Sequence, residues 1–394
     1  MTLLKLDNRD FQDYMSKKTT YKAASSVAKA IEKHFAHQLS AARMRGDSNL
    51  AIEPNVKMIE TMIDTAFWAS LRREEGNSTK ISIAFLPPEQ AGIPILFEQK
   101  MAFTAYHLTK LSLGVERPGV HLGVWHENDQ LFIWGSTLKI PNLCFVLDVS
   151  EPGMLVIKHR RVHGFGKFAN VAVLIGDQVK IIDENSVNHP DCPELLQYLL
   201  GYTVPHSWSD SMNVLVQLAV SMRAHRHGGS LLVVPSDNDN WRKSILHPIK
   251  YSVSPPYSGL SELMSKDVNV RSEVLWQGAL RTEVETLAGL TAVDGATLIN
   301  DKYELYAFGA KIGRSVGNAR VEKVYMSEPI VGGGAVMINP SNSGGTRHLS
   351  AAQFVYDQKS ALAFVASQDG HFTIFTWSPT EEVVQAHKID TLLL

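Results

Sequence analysis

The sequence has 394 residues, a length that favours two domains over one. Its formal net charge is −2, so no bulk attraction to nucleic acid or to an anionic membrane surface is expected. Two cysteines, Cys144 and Cys192, are too few for a disulfide framework or a cysteine-rich zinc site. No run of about 18 apolar residues occurs, and the N-terminus reaches Asp7 before a long apolar run forms. We therefore expect a soluble cytoplasmic protein whose partners include neither a membrane nor a nucleic-acid polymer.

Apolar periodicity predicts two amphipathic helices in the first part of the chain, at residues 21–43 and 53–73. Short apolar runs predict the strands that follow, at 81–86, 120–125, 130–134, 144–149, 154–158, 171–175 and 178–182. Glu127, Asn128 and Asp129 supply the turn chemistry of a hairpin between two of these strands.

A break in this pattern marks the predicted domain boundary. Turn-forming residues at 185–193 and a short helix at 194–200 precede the segment 203–207, which is the predicted linker. We therefore predict an N-terminal domain at 1–205 and a C-terminal domain at 206–394.

The C-terminal domain is predicted to start with a helix, because Ser209, Asp210 and Ser211 are good N-cap residues. Residues 245–257 are predicted to form an irregular loop. The other predicted elements are a strand at 231–234, a helix at 271–287, strands at 296–299, 304–308 and 335–338, a helix at 350–356, and strands at 361–367 and 372–377. Both domains are thus predicted to be α/β, each a mixed β-sheet flanked by helices.

The two halves share a spaced set of residues. Five residues of the first half recur in the second at a constant offset of 172 (295 − 123 = 172), without gaps: Gly123, Asn128, Asp129, Lys139 and Ile140 recur as Gly295, Asn300, Asp301, Lys311 and Ile312. Two interpretations stay open, an ancient duplication or a chance likeness between two hairpins. Under a duplication the first copy is degenerate, because it has no acidic residue at the position of Asp294.

The first motif that could carry chemistry is Asp294-Gly295-Ala296, which opens a predicted strand. A carboxylate in this position could ligate Mg²⁺ or Mn²⁺ and lie close to a ribose hydroxyl, and the glycine lets backbone approach a ligand. The alternative interpretation is a simple turn, because Asp-Gly is a common hairpin dipeptide.

The second motif is Gly345-Thr346-Arg347-His348, which opens a helix of small residues that includes Ser350. A guanidinium binds phosphate in a bidentate fork, and a helix N-terminus adds backbone N–H donors. The alternative interpretation is a solvated helix cap. Together the two motifs supply groups suited to one metal ion and one polyphosphate.

In this order and spacing the two motifs resemble the signature motifs of the diadenylate cyclase (DAC) domain, over about residues 209–378. The resemblance implies a DAC-like C-terminal domain that binds ATP or a cyclic dinucleotide with Mg²⁺ or Mn²⁺. It implies catalytic roles for Asp294, Arg347 and His348, with the metal on Asp294. It also implies nucleotide contacts from Gly295, Ala296, Gly345, Thr346, Arg347, His348 and Ser350.

Oligomerisation follows from the same resemblance. Two DAC domains meet face to face and each delivers one ATP, so an active enzyme needs a homo-oligomer. If the N-terminal domain is a degenerate copy, the two domains of one chain would instead form an intramolecular pseudo-dimer.

Three positions depart from the DAC pattern: Val293 stands where the family usually has His, Leu349 where it has Arg, and Gln368 where it has Glu. A charge-assisted phosphate contact is worth about 1.5–3 kcal/mol. Phosphoryl transfer depends on positioning and charge stabilisation, so these losses should weaken catalysis more than binding. We therefore expect a sensor of an adenine nucleotide or cyclic dinucleotide. The alternatives are an active cyclase that makes cyclic di-AMP from two ATP, and a structural or partner-binding protein with fossil motifs.

Overall fold

The computed structural model describes residues 19–162, 167–184, 186, 191–200, 210–266, 274–341 and 345–394. The chain divides into two units, Met1–Ile182 and Asp183–Leu394. This boundary lies earlier in the chain than the predicted one, because the backbone N–H of Asp183 donates to the carbonyl of Pro329 (3.0 Å) within the C-terminal unit. The predicted linker, residues 203–207, lies outside the described residues.

The N-terminal unit is an eight-stranded mixed sheet with helices. Its helices are α1 (Lys22–Arg45), α2 (Val56–Ser70) and α3 (Ala105–Val115). Its strands are β1 (Arg73–Glu74) and β2 (Asn77–Ser78), which form a separate small hairpin, and β3 (Ile81–Phe85), β4 (Ile95–Ala102), β5 (His121–Glu127), β6 (Gln130–Thr137), β7 (Phe145–Glu151), β8 (Met154–Arg160), β9 (Phe168–Ile175) and β10 (Gln178–Ile181). The sheet order is β10-β9-β8-β7-β3-β5-β6-β4, in which β3 and β5 are parallel and the other neighbours antiparallel.

Local sequence explains the two long helices of this unit. Helix α1 buries an apolar face that includes Ile31 and Phe35, and it ends at Gly46, whose φ of 81° suits a residue without a side chain. Helix α2 is capped by the side chain of Asn55, which accepts a hydrogen bond from the backbone N–H of Met58 (2.9 Å). Both helices then pack on one face of the sheet.

The C-terminal unit is a nine-stranded mixed sheet. Its helices are α4 (Glu194–Leu200), α5 (Asp210–Ala224), α6 (Gly259–Met264), α7 (Val274–Leu290) and α8 (Thr346–Asp357). Its strands are β11 (Gly229–Val234), β12 (Tyr251–Tyr257), β13 (Ala296–Asn300), β14 (Leu305–Ala310), β15 (Val324–Ser327), β16 (Val336–Ile338), β17 (Leu362–Ala366), β18 (Phe372–Ser378) and β19 (Val383–Lys388). The order is β12-β14-β13-β11-β17-β18-β19-β15-β16, with β11–β13 and β15–β19 parallel.

The predicted fold class is confirmed, since both units are mixed sheets flanked by helices. The prediction of an irregular loop at 245–257 is wrong in part. These residues contain β12, which pairs antiparallel with β14. Pro255 and Pro256 suggested a break, but β12 lies at the edge of the sheet, where a missing N–H donor is tolerated. The sequence patterns also missed β4, α3, β15 and β19.

The two sheets share the order and direction of seven strands. The series β9-β8-β7-β3-β5-β6-β4 corresponds to β19-β18-β17-β11-β13-β14-β12. Two similar contacts have acceptors at the 172-residue offset (311 − 139 = 172). The carbonyl of Lys139 accepts from the N–H of Gly92 (2.9 Å), and that of Lys311 accepts from the N–H of Leu246 (2.8 Å), although the two donors are 154 residues apart (246 − 92 = 154). This shared order is what the duplication hypothesis predicts.

The two units differ in one connection. In the C-terminal unit β15, β16 and α8 lie between β14 and β17, whereas in the N-terminal unit residues 138–144, all of them described, join β6 to β7 without a helix. The hairpin turns differ as well, because Asn128 and Asp129 form a two-residue turn with positive φ at both positions, while the turn after Asn300 is longer. Between β6 and β7, where every residue is described, the N-terminal unit therefore has no counterpart of α8 and its Thr-Arg-His motif.

Buried His159 is predicted to make the N-terminal unit sensitive to acid. Its side chain is 1% exposed and packs against His34 and Phe35. Burial is the first cause that lowers its pKa to about 3, from the usual value of 6.5. Above about pH 6.5 the imidazole of His159 is neutral in both the folded and the unfolded chain. As the pH falls below 6.5, this imidazole binds a proton in the unfolded chain but not in the folded chain. The free energy of unfolding should then fall by about 1.4 kcal/mol per pH unit.

Urea unfolding near neutral pH and near pH 5 checks this prediction. The wild type should lose about 2 kcal/mol of stability between these conditions through this residue. His159→Leu should show a correspondingly smaller loss. An equal pH dependence in the two proteins would contradict it.

Candidate functional site

Three strand ends meet at one edge of the C-terminal sheet. Strands β11 and β13 are parallel, and Ser230 at the start of β11 pairs with Ala296 at the start of β13. Strand β17 runs antiparallel to β11, so its last residue, Ala366, pairs with Gly229. The residues before β11, before β13 and after β17 therefore lie together, and we call this place the sheet-edge site.

Gly295 fixes the position of Asp294 at this edge. Gly295 has a φ of 121°, and a Cβ on it would lie 2.4 Å from the carbonyl carbon of Gly309. No other residue fits this backbone without strain. Asp294 is thereby held just before β13, with its side chain 89% exposed.

The carboxylate of Asp294 is paired with a lysine that the sequence motifs did not include. The Nζ atom of Lys311, directly after β14, donates to Oδ2 of Asp294 (2.5 Å). This hydrogen bond lowers the pKa of Asp294, and the charges of Lys311 and Arg347 lower it further. Asp294 is therefore ionised at neutral pH. The recurrence of Lys139 as Lys311 was the one sequence signal that could have identified this residue.

Arg347 reaches the same edge from the N-terminus of α8. A Cβ on Gly228 would lie 2.8 Å from a guanidinium nitrogen of Arg347 and 3.3 Å from the carbonyl oxygen of Ala366. Gly345 is the N-cap of α8, and no side chain among the described residues caps the helix, so they provide no cap for its first N–H groups. The structure thus brings together the guanidinium of Arg347, the start of α8 and the Asp294–Lys311 pair.

The remaining residues of the second motif differ in exposure. Gly345 and Thr346 are exposed, and Ser350 is half-buried. The half-buried ring of His348 turns toward the sheet, where Nε2 lies 3.4 Å from Oγ1 of Thr373 and the ring meets Phe375 edge-on.

The pKa of His348 decides which role its ring can have. Burial lowers this pKa first, and the nearby basic residues Lys388, His371 and Arg347 lower it further. The imidazole is therefore neutral at neutral pH. It can offer one hydrogen bond but no positive charge, so the cationic groups for a polyanion are Lys311 and Arg347.

A metal ion fits this site only as a companion of a nucleotide. No group of three or more His, Cys, Asp or Glu that could hold a metal occurs in the described part of the chain. Asp294 supplies a single ionised carboxylate, and Mg²⁺ in nucleotide sites takes most of its ligands from phosphates and water. An ion on Asp294 would also have to displace the amine of Lys311.

The three departures from the DAC pattern have different surroundings. Val293 is half-buried beside Gly309, and Leu349 packs against the core of the C-terminal unit. Gln368 is exposed, and its Nε2 donates to the carbonyl of His227 (3.5 Å). None of the three supplies a charge to the sheet-edge site.

A separate cavity of about 430 Å³ lies by β15 and β19, away from β11 and β13. Three carboxylates line it, from Asp183, Glu328 and Glu381, and no lysine or arginine is among its described lining residues. None of the predicted site residues lines it. Its charge is unsuited to a polyanion, so we do not assign the nucleotide to it.

Comparison with known proteins gives one family match. Residues 48–138 match the family described as probable sensor domain DACNV, found in the N-terminal region of DAC-containing proteins. The matched residues lie in the N-terminal unit and outside 209–378. A probable sensor domain fits a sensor role. No curated protein matches the chain.

One similar solved structure is that of a hypothetical membrane spanning protein from Bacillus cereus. It is 14% identical, the alignment covers 48% of this chain and 68% of that chain, and the TM-score is 0.27. This likeness is too weak to support a statement about fold or function. Within the described residues of the present chain, no helix is both long and apolar enough to cross a membrane.

Gly295→Ala is predicted to destabilise the C-terminal unit by about 1–3 kcal/mol, because the backbone is in a region that disfavours a side chain and the new methyl group meets Gly309. The matched control is Gly278→Ala, at an exposed position within α7 where an added Cβ meets nothing within 4 Å. The control should stabilise by about 0.5–1 kcal/mol. Chemical unfolding of both variants tests this, and an unchanged stability of Gly295→Ala would contradict the assigned constraint.

Proposed function

We propose that the C-terminal unit binds an adenine nucleotide or a cyclic dinucleotide at the sheet-edge site, and that the chain acts as a sensor. The observation that carries the proposal is the convergence of Arg347, at the start of α8, with the Asp294–Lys311 pair at the start of β13. The match of residues 48–138 to a probable sensor domain supports the sensor role independently.

The proposed contacts follow from the chemistry of each group. Arg347 and Lys311 bind phosphate oxygens, and the first N–H groups of α8 add neutral donors. Gly228 and Gly345 have no side chains to hinder a close approach of phosphate. Asp294 takes a ribose hydroxyl, or a nucleotide-bound Mg²⁺ or Mn²⁺ once Lys311 has moved to a phosphate.

The same contacts explain why we favour sensing over turnover. Transfer of a phosphoryl group needs charged groups that bind the transition state more strongly than the ground state. Val293, Leu349 and Gln368 supply no such charge, and Lys311 competes with a metal for the carboxylate of Asp294. Ground-state binding needs only the phosphate donors, which are present.

Arg347→Ala should weaken nucleotide binding by about 1.5–3 kcal/mol, the usual scale of a charge-assisted hydrogen bond. Calorimetric titration with ATP and with cyclic di-AMP measures the effect. The matched control is Arg281→Ala, an exposed arginine in the middle of α7, which should leave the affinity unchanged. Unchanged affinity in Arg347→Ala would overturn the assignment of the phosphate site.

Restoring polar groups at two of the departures should create or raise cyclic di-AMP formation. We choose Val293→His with Gln368→Glu and leave Leu349 intact, because a guanidinium at Leu349 would enter the core. Product formation from ATP and Mn²⁺ should rise by about tenfold or more. The double variant combined with Asp294→Asn should form no cyclic di-AMP. A double variant that forms no more cyclic di-AMP than the wild type would show that Val293 and Gln368 do not limit catalysis.

A further inference from the structure

A second polar cavity lies in the N-terminal unit, which the nucleotide proposal does not use. Its volume is about 580 Å³, within the range of sites for small metabolites. Its lining includes Ser82 near the start of β3, His121 at the start of β5, and Gly119 in the loop before β5. Part of this lining belongs to the segment that matches the probable sensor domain.

A hydrogen-bonded polar chain forms the floor of this cavity. The hydroxyl of Ser82 donates to Oδ1 of Asp148 (2.6 Å) and lies 2.7 Å from Nδ1 of His121. The other oxygen of Asp148 is paired with the amine of Lys158. Because Ser82 has one proton to donate, it accepts a hydrogen bond from the Nδ1–H group of His121.

This arrangement leaves one nitrogen unsatisfied. His121 is 2% exposed, and its Nε2 atom has no hydrogen-bond partner among the described residues. Burial lowers the pKa of His121 to about 4, so Nε2 carries no proton at neutral pH. A buried acceptor without a partner costs free energy. The Nε2 atom itself has less than 1 Å² of accessible surface, so a molecule in the cavity reaches it once the imidazole ring turns.

The charge around the cavity is positive. Lys158 is paired with Asp148, and Lys80 with Glu116 (3.9 Å). Lys167 forms no ion pair with any described residue. Its amine lies near the ring of Phe168 and near Gly119. Burial lowers the pKa of Lys167 first, and the nearby charges of Arg160 and Lys158 lower it further. Arg117 adds a further cation to the lining.

The comparison of the two units explains why the cavity is there. Ser82 and Asp148 alternate along their strands with Ile83 and Leu147, which pack under α1 and α2, so they face the opposite side of the sheet. In the C-terminal unit α8 packs on β17, β18 and β19, the counterparts of β7, β8 and β9. Within its described residues the N-terminal unit has no such helix. On the same face Ala84 and Val146 belong to a buried apolar cluster, and the cavity lies beside Ser82 and Asp148.

We propose that this cavity is a binding site for a small organic anion, a carboxylate or phosphate that also carries hydroxyl groups. The anionic group binds Lys167 and Arg117, and a hydroxyl supplies the donor that the imidazole of His121 lacks once its ring turns toward the cavity. The cavity then serves as the input site of the sensor unit. This inference does not depend on nucleotide binding by the C-terminal unit.

Calorimetric titration of the full chain carrying Arg347→Ala tests the proposal, because that background removes the main phosphate contact of the sheet-edge site. Glycerol 3-phosphate and glycerate are the probes, since they share a hydroxyl-bearing skeleton and differ in the anionic group. Glycerol is the uncharged control. We expect saturable binding of at least one anion and none of glycerol.

Lys167→Gln should weaken that binding about tenfold, the loss expected for one charged contact. Lys100→Gln, an exposed lysine on β4, is the matched control and should leave the affinity unchanged. Binding by only one of the two anions would identify phosphate or carboxylate as the preferred group. No saturable binding of either anion, or binding that Lys167→Gln does not weaken, would overturn the proposal.

Discussion

The parallel pairing of β11 with β13 is the constraint on which the sheet-edge site depends. It brings the starts of two strands that are distant in sequence to one edge, and the antiparallel return of β17 closes that edge. Gly295 then sets the place of the carboxylate, because its positive φ and its contact with Gly309 exclude any side chain. The helix α8 delivers the guanidinium to the same edge. Without this pairing, Asp294 and Arg347 would be two unrelated surface groups.

One strand order serves two different purposes in this chain. Both units place a parallel pair at the centre of the sheet, next to an antiparallel strand. In the C-terminal unit the insertion of α8 covers one face with an apolar core and adds the helix start that we propose as a phosphate site. In the N-terminal unit residues 138–144 make a short connection, and the equivalent face has a hydrogen-bonded chain of half-buried Ser82, buried His121 and half-buried Asp148 beside a cavity. A difference in one connection therefore separates the two proposed ligands, a nucleotide and a small organic anion.

The sequence predicted the parts of the fold that depend on local patterns. Alternating apolar residues and turn pairs such as Asn128-Asp129 identified most strands, and the order of motifs identified Asp294 and Arg347. It did not predict β4 or β12, because edge strands are exposed and lack a clear apolar pattern. Lys311 was missed as a site residue because its ion pair with Asp294 forms only across two strands. The neutral, inward-facing ring of His348 likewise depends on tertiary contacts that no motif contains.

Nucleotide binding without efficient turnover is the property that separates a sensor from a cyclase. Titration of the wild type with ATP and Mn²⁺ and with cyclic di-AMP, followed by chromatography of the ATP sample, measures both halves of this property. We expect a saturable heat for at least one of these nucleotides and an ATP sample that emerges unchanged. Rapid formation of cyclic di-AMP would contradict the sensor assignment in favour of an active cyclase. The absence of any binding heat would contradict nucleotide recognition and leave the motifs as fossils.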